Sequence, residues 1–140
     1  MISIHQASAV LLLRVFLGII FFWQGFDKIF RVKVSEEIKL FEHPLMEKHF
    51  PKILLVVASY FTSYIEMLGG FLLIIGFVKY HVLALLGLDL LMVSFAFSLL
   101  NPVWDLQQVF VRLVLIVALL LLPSQWDIFS LDYLITVKSY

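Results

Sequence analysis

Long apolar runs alternate with short polar breaks along this 140-residue chain. A helix rises about 1.5 Å per residue and a bilayer core is about 30 Å thick, so a membrane-spanning helix needs roughly 20 mostly apolar residues. Four windows meet this requirement, at about residues 7–26, 53–77, 80–100 and 106–122. The pattern predicts an all-α integral membrane protein, an antiparallel bundle of four transmembrane helices that forms one domain over residues 1–140.

The connections between the windows favour antiparallel neighbours. Only Val78 and Lys79 are available between the second and third windows, and residues 101–105 separate the third from the fourth. Links this short force consecutive helices to reverse direction. Pro102 and Pro123 stand just after the third and fourth windows, where each helix should end, because proline cannot continue a helix.

The connection between the first two windows, residues 27–52, is longer and mixes charged with apolar residues. Ser35 followed by Glu36 and Glu37 has the composition of a helix start, and Pro44 would end that helix after about two turns. A short amphipathic helix lying at the membrane interface fits this composition. A solvated connector fits it equally well.

Charge along the chain bears on orientation and on partners. Six of the ten Lys and Arg residues lie in the connection over residues 27–52. The positive-inside rule places such a segment in the cytoplasm, so both termini are expected to face outward. The net charge of zero gives no basic patch for nucleic acid, whereas a composition that is 63% hydrophobic makes the lipid bilayer the main partner.

Each predicted span carries a charged residue where charge is costly: Arg14, Glu66, Asp89 and Arg112. Insertion at a helix centre costs roughly 2.5–3.5 kcal/mol, so such side chains should face the bundle interior or a partner. Measured from the face shared by the termini, all four lie within roughly 10–17 Å. We expect one layer of zero net charge, either a ligand-binding or proton-relay site or a structural ion-pair network.

The first window holds further candidates along one stripe of helical spacing. The stripe consists of Arg14, Gly18, Phe21, Gly25 and Lys28. Its glycines permit close approach of another helix or of a flat ligand, and helix packing is the simpler interpretation. Gln24 and Lys28 add polar groups near its end and complete the set of ligand-binding or proton-relay candidates.

Metal, thiol and soluble-type catalytic chemistry find no support in the sequence. The chain contains no cysteine, and its four histidines all lie away from the middle of the spans. Disulfides, thiolate metal sites and a haem held between facing histidines are therefore not expected. The spacings of known soluble catalytic motifs are missing as well, so no metal ligand and no catalytic residue is assigned and enzymatic activity is left open.

Three short motifs follow one another along the chain. The first is the stripe of the first window, with either Phe21 or Phe22 as its aromatic residue, within LLLRVFLGIIFFWQGFDKIF. The second lies within IEMLGGFLLIIG, and the third follows the last span. The residues of the second and third motifs are Glu66, Gly69, Gly70, Gly76, Ser130, Leu131 and Asp132. In this order the motifs resemble the DoxX-like (DoxX/DoxD) family of four-helix membrane proteins, and the resemblance covers nearly the whole chain.

The resemblance implies a bacterial inner-membrane protein linked to quinone-dependent redox chemistry, since relatives serve as subunits of thiosulfate:quinone oxidoreductase. It implies a quinone as the candidate cofactor and other membrane or redox subunits as partners. We therefore expect a membrane subunit or accessory of a quinone-linked redox system, an oxidoreductase subunit if it is catalytic at all. The alternative is a non-catalytic assembly or scaffold subunit of an envelope complex.

Overall fold

The computed structural model describes residues 3–36, 38–39, 51–100 and 107–138. Helices and the turns between them make up these ranges, which contain no strand. The α-helices are α1 (Ile4–Phe26), α2 (Lys52–Ile75), α3 (Lys79–Leu100), α4 (Gln107–Leu121) and α5 (Leu131–Lys138).

In the described part of the chain three helical segments are long and apolar enough to cross a membrane: Ile4–Arg31, Lys52–Ile75 and Lys79–Ala96. The first of them joins α1 to the π-helical turn Asp27–Arg31 that continues it. The fourth helix is shorter, with its apolar part over Val109–Leu121. Within the described residues the protein is all-helical, as predicted, and its long apolar helices have the length and composition of membrane spans.

Local chemistry determines where α1 begins and where α2 ends. The Ser3 hydroxyl accepts the backbone N–H of Gln6, and the Gln6 side chain accepts the N–H of Ser3 in return. This capping box starts α1 at Ile4, before the predicted residue 7. At the other end Gly76 adopts a left-handed conformation with φ of 71°, which glycine does without a Cβ penalty, and it ends α2 at Ile75 before the predicted residue 77.

Among the described helices, α1 and α2 pack together most extensively. Gly18 lies against Gly70 and Ile74, whereas Gly25 lies against Ser63, so the two helices run antiparallel. A Cβ atom on Gly18 would lie 2.8 Å from the Gly70 carbonyl oxygen, and one on Gly25 would lie 2.6 Å from the Ser63 carbonyl oxygen. Only glycine permits this approach, and the prediction that the glycines of the stripe serve helix packing is confirmed.

Helix α3 packs on α2, and α4 packs on both α3 and α1. Leu86 of α3 lies against Gly69 of α2, and Ile116 of α4 approaches Gly87 of α3. The side chains between these helices form a core with almost no exposed surface. We call its central part the apolar layer, which consists of Leu17, Phe21, Leu73, Leu83, Leu86, Ile116 and Leu119.

The connection after α1 is helical over the π turn and again over residues 34–36 and 38–39. Val34 and Ile38 are buried against Leu55 of α2, which gives this segment the apolar face expected of an amphipathic helix. Its helical residues begin at Val34, so Ser35 lies within the turn and the prediction that it starts the helix is wrong. The rest of the predicted segment, including Pro44, lies outside the described residues.

Candidate functional site

The structure brings together five of the six predicted site residues. Lys28 comes from the π turn, Gln24 from the last turns of α1, Glu66 from α2, Asp89 from α3 and Arg112 from α4. We call Lys28, Glu66, Asp89 and Arg112 the four-charge site. Each of these charges comes from a different helical segment, so the site forms only when all four segments pack together.

Glu66 lies at the centre of this site and is fully buried. One carboxylate oxygen, Oε2, is 2.8 Å from Lys28 Nζ, and the other, Oε1, is 4.0 Å from Arg112 Nη1. The same Arg112 nitrogen donates a hydrogen bond to Gln24 Oε1, and the guanidinium lies over the Phe21 ring at 5.8 Å. Two cations from separate helices therefore hold one carboxylate.

Asp89 of α3 is also fully buried. It is close to the Thr62 hydroxyl and interacts electrostatically with Lys28 and Arg112. Neither of its carboxylate oxygens makes a hydrogen bond of normal geometry within the described residues. Thr62 was not among the predicted site residues, although its position four residues before Glu66 places it one turn away on the same helix face.

The site balances two cations against two carboxylates. A buried ion pair stabilises a fold only weakly, because the cost of removing charges from water offsets most of their attraction. Both carboxylate oxygens of Asp89 can therefore still accept hydrogen bonds, as far as the described residues are concerned. Chemically, the arrangement provides cationic donors and carboxylate acceptors within a few ångströms of each other.

The π turn places Lys28 beside Glu66. Over Asp27–Arg31 the helix is wider than an α-helix, and its closing hydrogen bond runs from the Val32 N–H to the Asp27 carbonyl oxygen at 2.8 Å. On the outer side of the turn Arg31 pairs with Asp27 at 3.0 Å and lies over the Trp23 ring. Such π turns are rare and occur frequently at functional sites. The sequence carries no signal for this one.

Arg14 lies elsewhere, and the prediction of a single charged layer is wrong for this residue. Its Nη1 donates to the carbonyl oxygens of Leu73 at 2.6 Å and Ile74 at 2.9 Å, at the end of α2. Its Nη2 donates to the Phe129 carbonyl oxygen at 3.1 Å, and its Nε is 3.3 Å from Asp127 Oδ1. Arg14 precedes Gln24 by ten residues, which separates the two by about 15 Å along α1.

A second cluster of charges forms around Arg14. Asp127 pairs with Lys79 Nζ at 3.0 Å as well as with Arg14. Asp132 accepts the backbone N–H of Val78 at 2.8 Å and that of Lys79 at 3.0 Å, which caps the start of α3. We call Arg14, Lys79, Asp127 and Asp132 the helix-end clamp, because it joins α1 to the turn between α2 and α3 and to the start of α5.

The clamp accounts for the closing Ser–Leu–Asp motif. The Ser130 hydroxyl donates to the Asp127 carbonyl oxygen at 2.7 Å and accepts the N–H of Tyr133 at 3.1 Å, so it supports the start of α5. Gly76 leaves room for the guanidinium, since a Cβ atom there would lie 2.5 Å from Arg14 Nη1. The sequence did not identify the clamp residues Lys79 and Asp127, which stand at or beyond the span boundaries where charge is ordinary.

Comparison with known proteins gives one match. The family model described as DoxX matches residues 9–99, which is more than half of the chain. The matched range contains Lys28, Glu66 and Asp89, whereas Arg112 and Asp127 follow it. No curated protein and no solved structure gives a significant match. In the described part of the chain no group of three His, Asp or Glu side chains is placed to hold a metal ion.

Proposed function

This chain belongs to the DoxX family, and we propose that it is a membrane subunit or accessory of a quinone-linked redox system whose four-charge site binds the quinone headgroup. The observation that supports this most directly is the pair of fully buried carboxylates, Glu66 and Asp89, facing two cations among apolar helices. Intramembrane ionisable residues commonly mark substrate or proton pathways.

The residues of the site suit the chemistry of a quinone headgroup. Quinone carbonyl oxygens accept hydrogen bonds, and reduction of a quinone to a quinol takes up two electrons and two protons. The Lys28 ammonium and the Arg112 guanidinium are donors for such oxygens. Glu66 and Asp89 are carboxylates that can pass protons, and Gln24 orients Arg112 through a hydrogen bond. Electrons would come from a partner subunit.

We also propose that α1–α4 form a four-helix antiparallel transmembrane bundle in a bacterial inner membrane, with both termini outward. Arg112 contacts Gln24, and Asp127, which follows α4, contacts Arg14, so α4 runs antiparallel to α1. Helix α4 has 15 residues, and the apolar residues Leu122 and Pro123 extend its apolar segment up to the turn Ser124–Trp126. The outward orientation of the termini is inferred from the basic connection after α1, which the positive-inside rule places in the cytoplasm.

Mass spectrometry of organic extracts from gently purified protein tests the quinone site. The wild type should carry a quinone, and Glu66→Gln should carry about tenfold less, since a hydrogen bond involving a charged group contributes about 1.5–3 kcal/mol. Glu36→Gln is the matched control, because Glu36 is exposed on the connection and pairs only with Lys39 in the described residues. Folded Glu66→Gln protein with undiminished quinone would exclude this site.

The helix-end clamp favours a second candidate, a non-catalytic scaffold subunit of an envelope complex. Arg14, Lys79 and Asp127 of the clamp pair with one another, which supports a structural role for buried ions in this bundle. If the four-charge site has the same role, extracts of wild-type protein contain no quinone. A partner protein would instead co-purify in constant ratio, and Glu66→Gln would retain it.

A further inference from the structure

We infer that Asp89 makes the four-charge site selective for the reduced form of its ligand, so that a quinol binds there more tightly than the corresponding quinone. The inference rests on the proposed function, because it concerns the ligand of the same site. It assigns to Asp89 the choice between the two redox forms. Its basis is an imbalance between hydrogen-bond donors and acceptors among the described side chains of the site.

The two carboxylates of the site differ in their contacts. Both are fully buried. Glu66 pairs with Lys28 at 2.8 Å and with Arg112 at 4.0 Å. Asp89 forms no ion pair within 4.0 Å among the described residues, and neither of its oxygens makes a hydrogen bond of normal geometry there. A buried charge without hydrogen bonds is costly, so the Asp89 carboxylate requires a donor.

The described neighbours of Asp89 supply too few donors for it. An ionised carboxylate accepts about four hydrogen bonds, whereas the Thr62 hydroxyl beside it has a single proton. Leu86 lies one turn before Asp89 on the same face of α3, and the Phe21 ring lies against the Arg112 guanidinium. Both belong to the apolar layer, whose side chains have no donor. A further donor to Asp89 therefore has to come from a bound molecule.

The charge balance of the site makes Asp89 an acceptor of hydrogen bonds. Lys28 and Arg112 carry two positive charges, which ionised Glu66 and ionised Asp89 cancel. An ionised carboxylate has no proton to donate. The carbonyl oxygens of a quinone are acceptors too, whereas each hydroxyl group of a quinol is a donor. Asp89 can therefore hydrogen-bond to a quinol and not to a quinone.

The cations of the site contribute to the binding of both forms. An ammonium or a guanidinium group can donate to a carbonyl oxygen of a quinone or to a hydroxyl oxygen of a quinol. The difference between the two forms thus arises at Asp89. A hydrogen bond to a charged group corresponds to at least about tenfold in affinity. Tenfold tighter binding of the quinol raises the two-electron potential of the bound couple by about 30 mV.

Three matched ligands test this selectivity on the wild-type protein. They are a short-chain ubiquinone, its quinol, and the dimethyl ether of that quinol, which keeps the ring and has no hydroxyl proton. Their affinities for purified protein in detergent micelles are measured by equilibrium dialysis without oxygen. We expect the quinol to bind at least about tenfold more tightly than either the quinone or the dimethyl ether. This result does not depend on the folding of any variant.

The variant Asp89→Asn tests whether Asp89 is the residue responsible. The asparagine amide has nearly the same size, with one neutral acceptor oxygen and two N–H donors. The quinol should therefore lose about tenfold in affinity, whereas the quinone should lose little. Glu36→Gln is the matched control, because Glu36 is exposed and removal of its charge should leave the ratio of the two affinities at the wild-type value.

Equal affinities of the wild type for quinol and quinone would overturn the inference, and so would a preference for quinol that Asp89→Asn retains. A water molecule that satisfied Asp89 beside either ligand would give the first of these results. Both results leave the proposed function standing if the ligands bind and Glu66→Gln weakens their binding. A wild-type protein that binds none of the three ligands would reject the proposed function together with the inference.

Discussion

The two charged clusters of this bundle differ in how their ions are satisfied. In the helix-end clamp Arg14 donates three hydrogen bonds to backbone carbonyl oxygens and pairs with Asp127 as well. In the four-charge site the contacts of Glu66 within the described residues are to side-chain cations, and Arg112 lies 4.0 Å from it. Asp89 has acceptor oxygens to spare in the described structure. The backbone carbonyl oxygens that hold Arg14 and the two cations that hold Asp127 favour a structural role for the clamp. Asp89 makes no hydrogen bond of normal geometry within the described residues, which leaves room for a ligand at the four-charge site.

Removing the shared anion of the clamp should have the largest effect on stability. Asp127→Asn leaves Arg14 and Lys79 buried without their counter-ion, and breaking a buried pair in this way costs about 3–5 kcal/mol. The free energy of unfolding in mixed micelles measures it. Asp27→Asn is the control, since Asp27 pairs with the exposed Arg31 and should lose at most about 1 kcal/mol. Equal losses in the two variants would contradict the structural role of the clamp.

A methyl group at Gly25 should weaken the support of the four-charge site. Its Cβ would lie 2.6 Å from the Ser63 carbonyl oxygen, so α1 and α2 must separate close to the Lys28–Glu66 pair. We expect Gly25→Ala to lose about 1–3 kcal/mol of unfolding free energy, the usual cost of overpacking. Gly87→Ala is the control, because its Cβ would meet Ile116 at 3.8 Å, an ordinary contact. A Gly25→Ala variant as stable as the control would contradict this packing.

A smaller effect is expected from the cap that Asp132 places on α3. Asp132→Asn weakens the hydrogen bonds that its carboxylate accepts from Val78 and Lys79, and loss of a cap costs about 0.5–2 kcal/mol. Val78 has φ of 51°, a left-handed conformation that β-branched residues rarely adopt, so the cap also holds a strained residue in place. A lowered Tm relative to the exposed variant Glu36→Gln is the expected result. An unchanged Tm would show that the cap contributes nothing.

Much of the fold could be predicted from hydrophobic pattern alone, because a helix of sufficient apolar length is dictated by the bilayer. The predicted window at 53–77 corresponds to α2 at Lys52–Ile75, and that at 106–122 corresponds to α4 at Gln107–Leu121. The differences at the ends arise from local caps. Capping at Ser3 and the turn at Gly76 depend on single side chains and backbone angles that hydropathy does not register.

The candidate site was less predictable, because depth counted along each helix does not give the register between helices. Residues counted along each predicted span placed Arg14 at about the same depth as Glu66. Close contact of Gly25 with Ser63 instead sets Gln24 opposite Glu66, and the π turn then adds Lys28. Arg14 consequently reaches the far end of α2. Sequence identified which residues are costly in lipid, whereas glycine contacts and a π turn decided which of them meet.

We propose that the four-charge site binds a ligand while the helix-end clamp holds the fold. Bound quinone per folded protein, measured in parallel for Glu66→Gln and Asp127→Asn, tests it most directly. We expect about tenfold less quinone in Glu66→Gln, in line with the loss of a charged hydrogen-bonding partner, and wild-type quinone in the folded fraction of Asp127→Asn. Equal quinone content in the two variants, whether retained or lost, would contradict the division of roles.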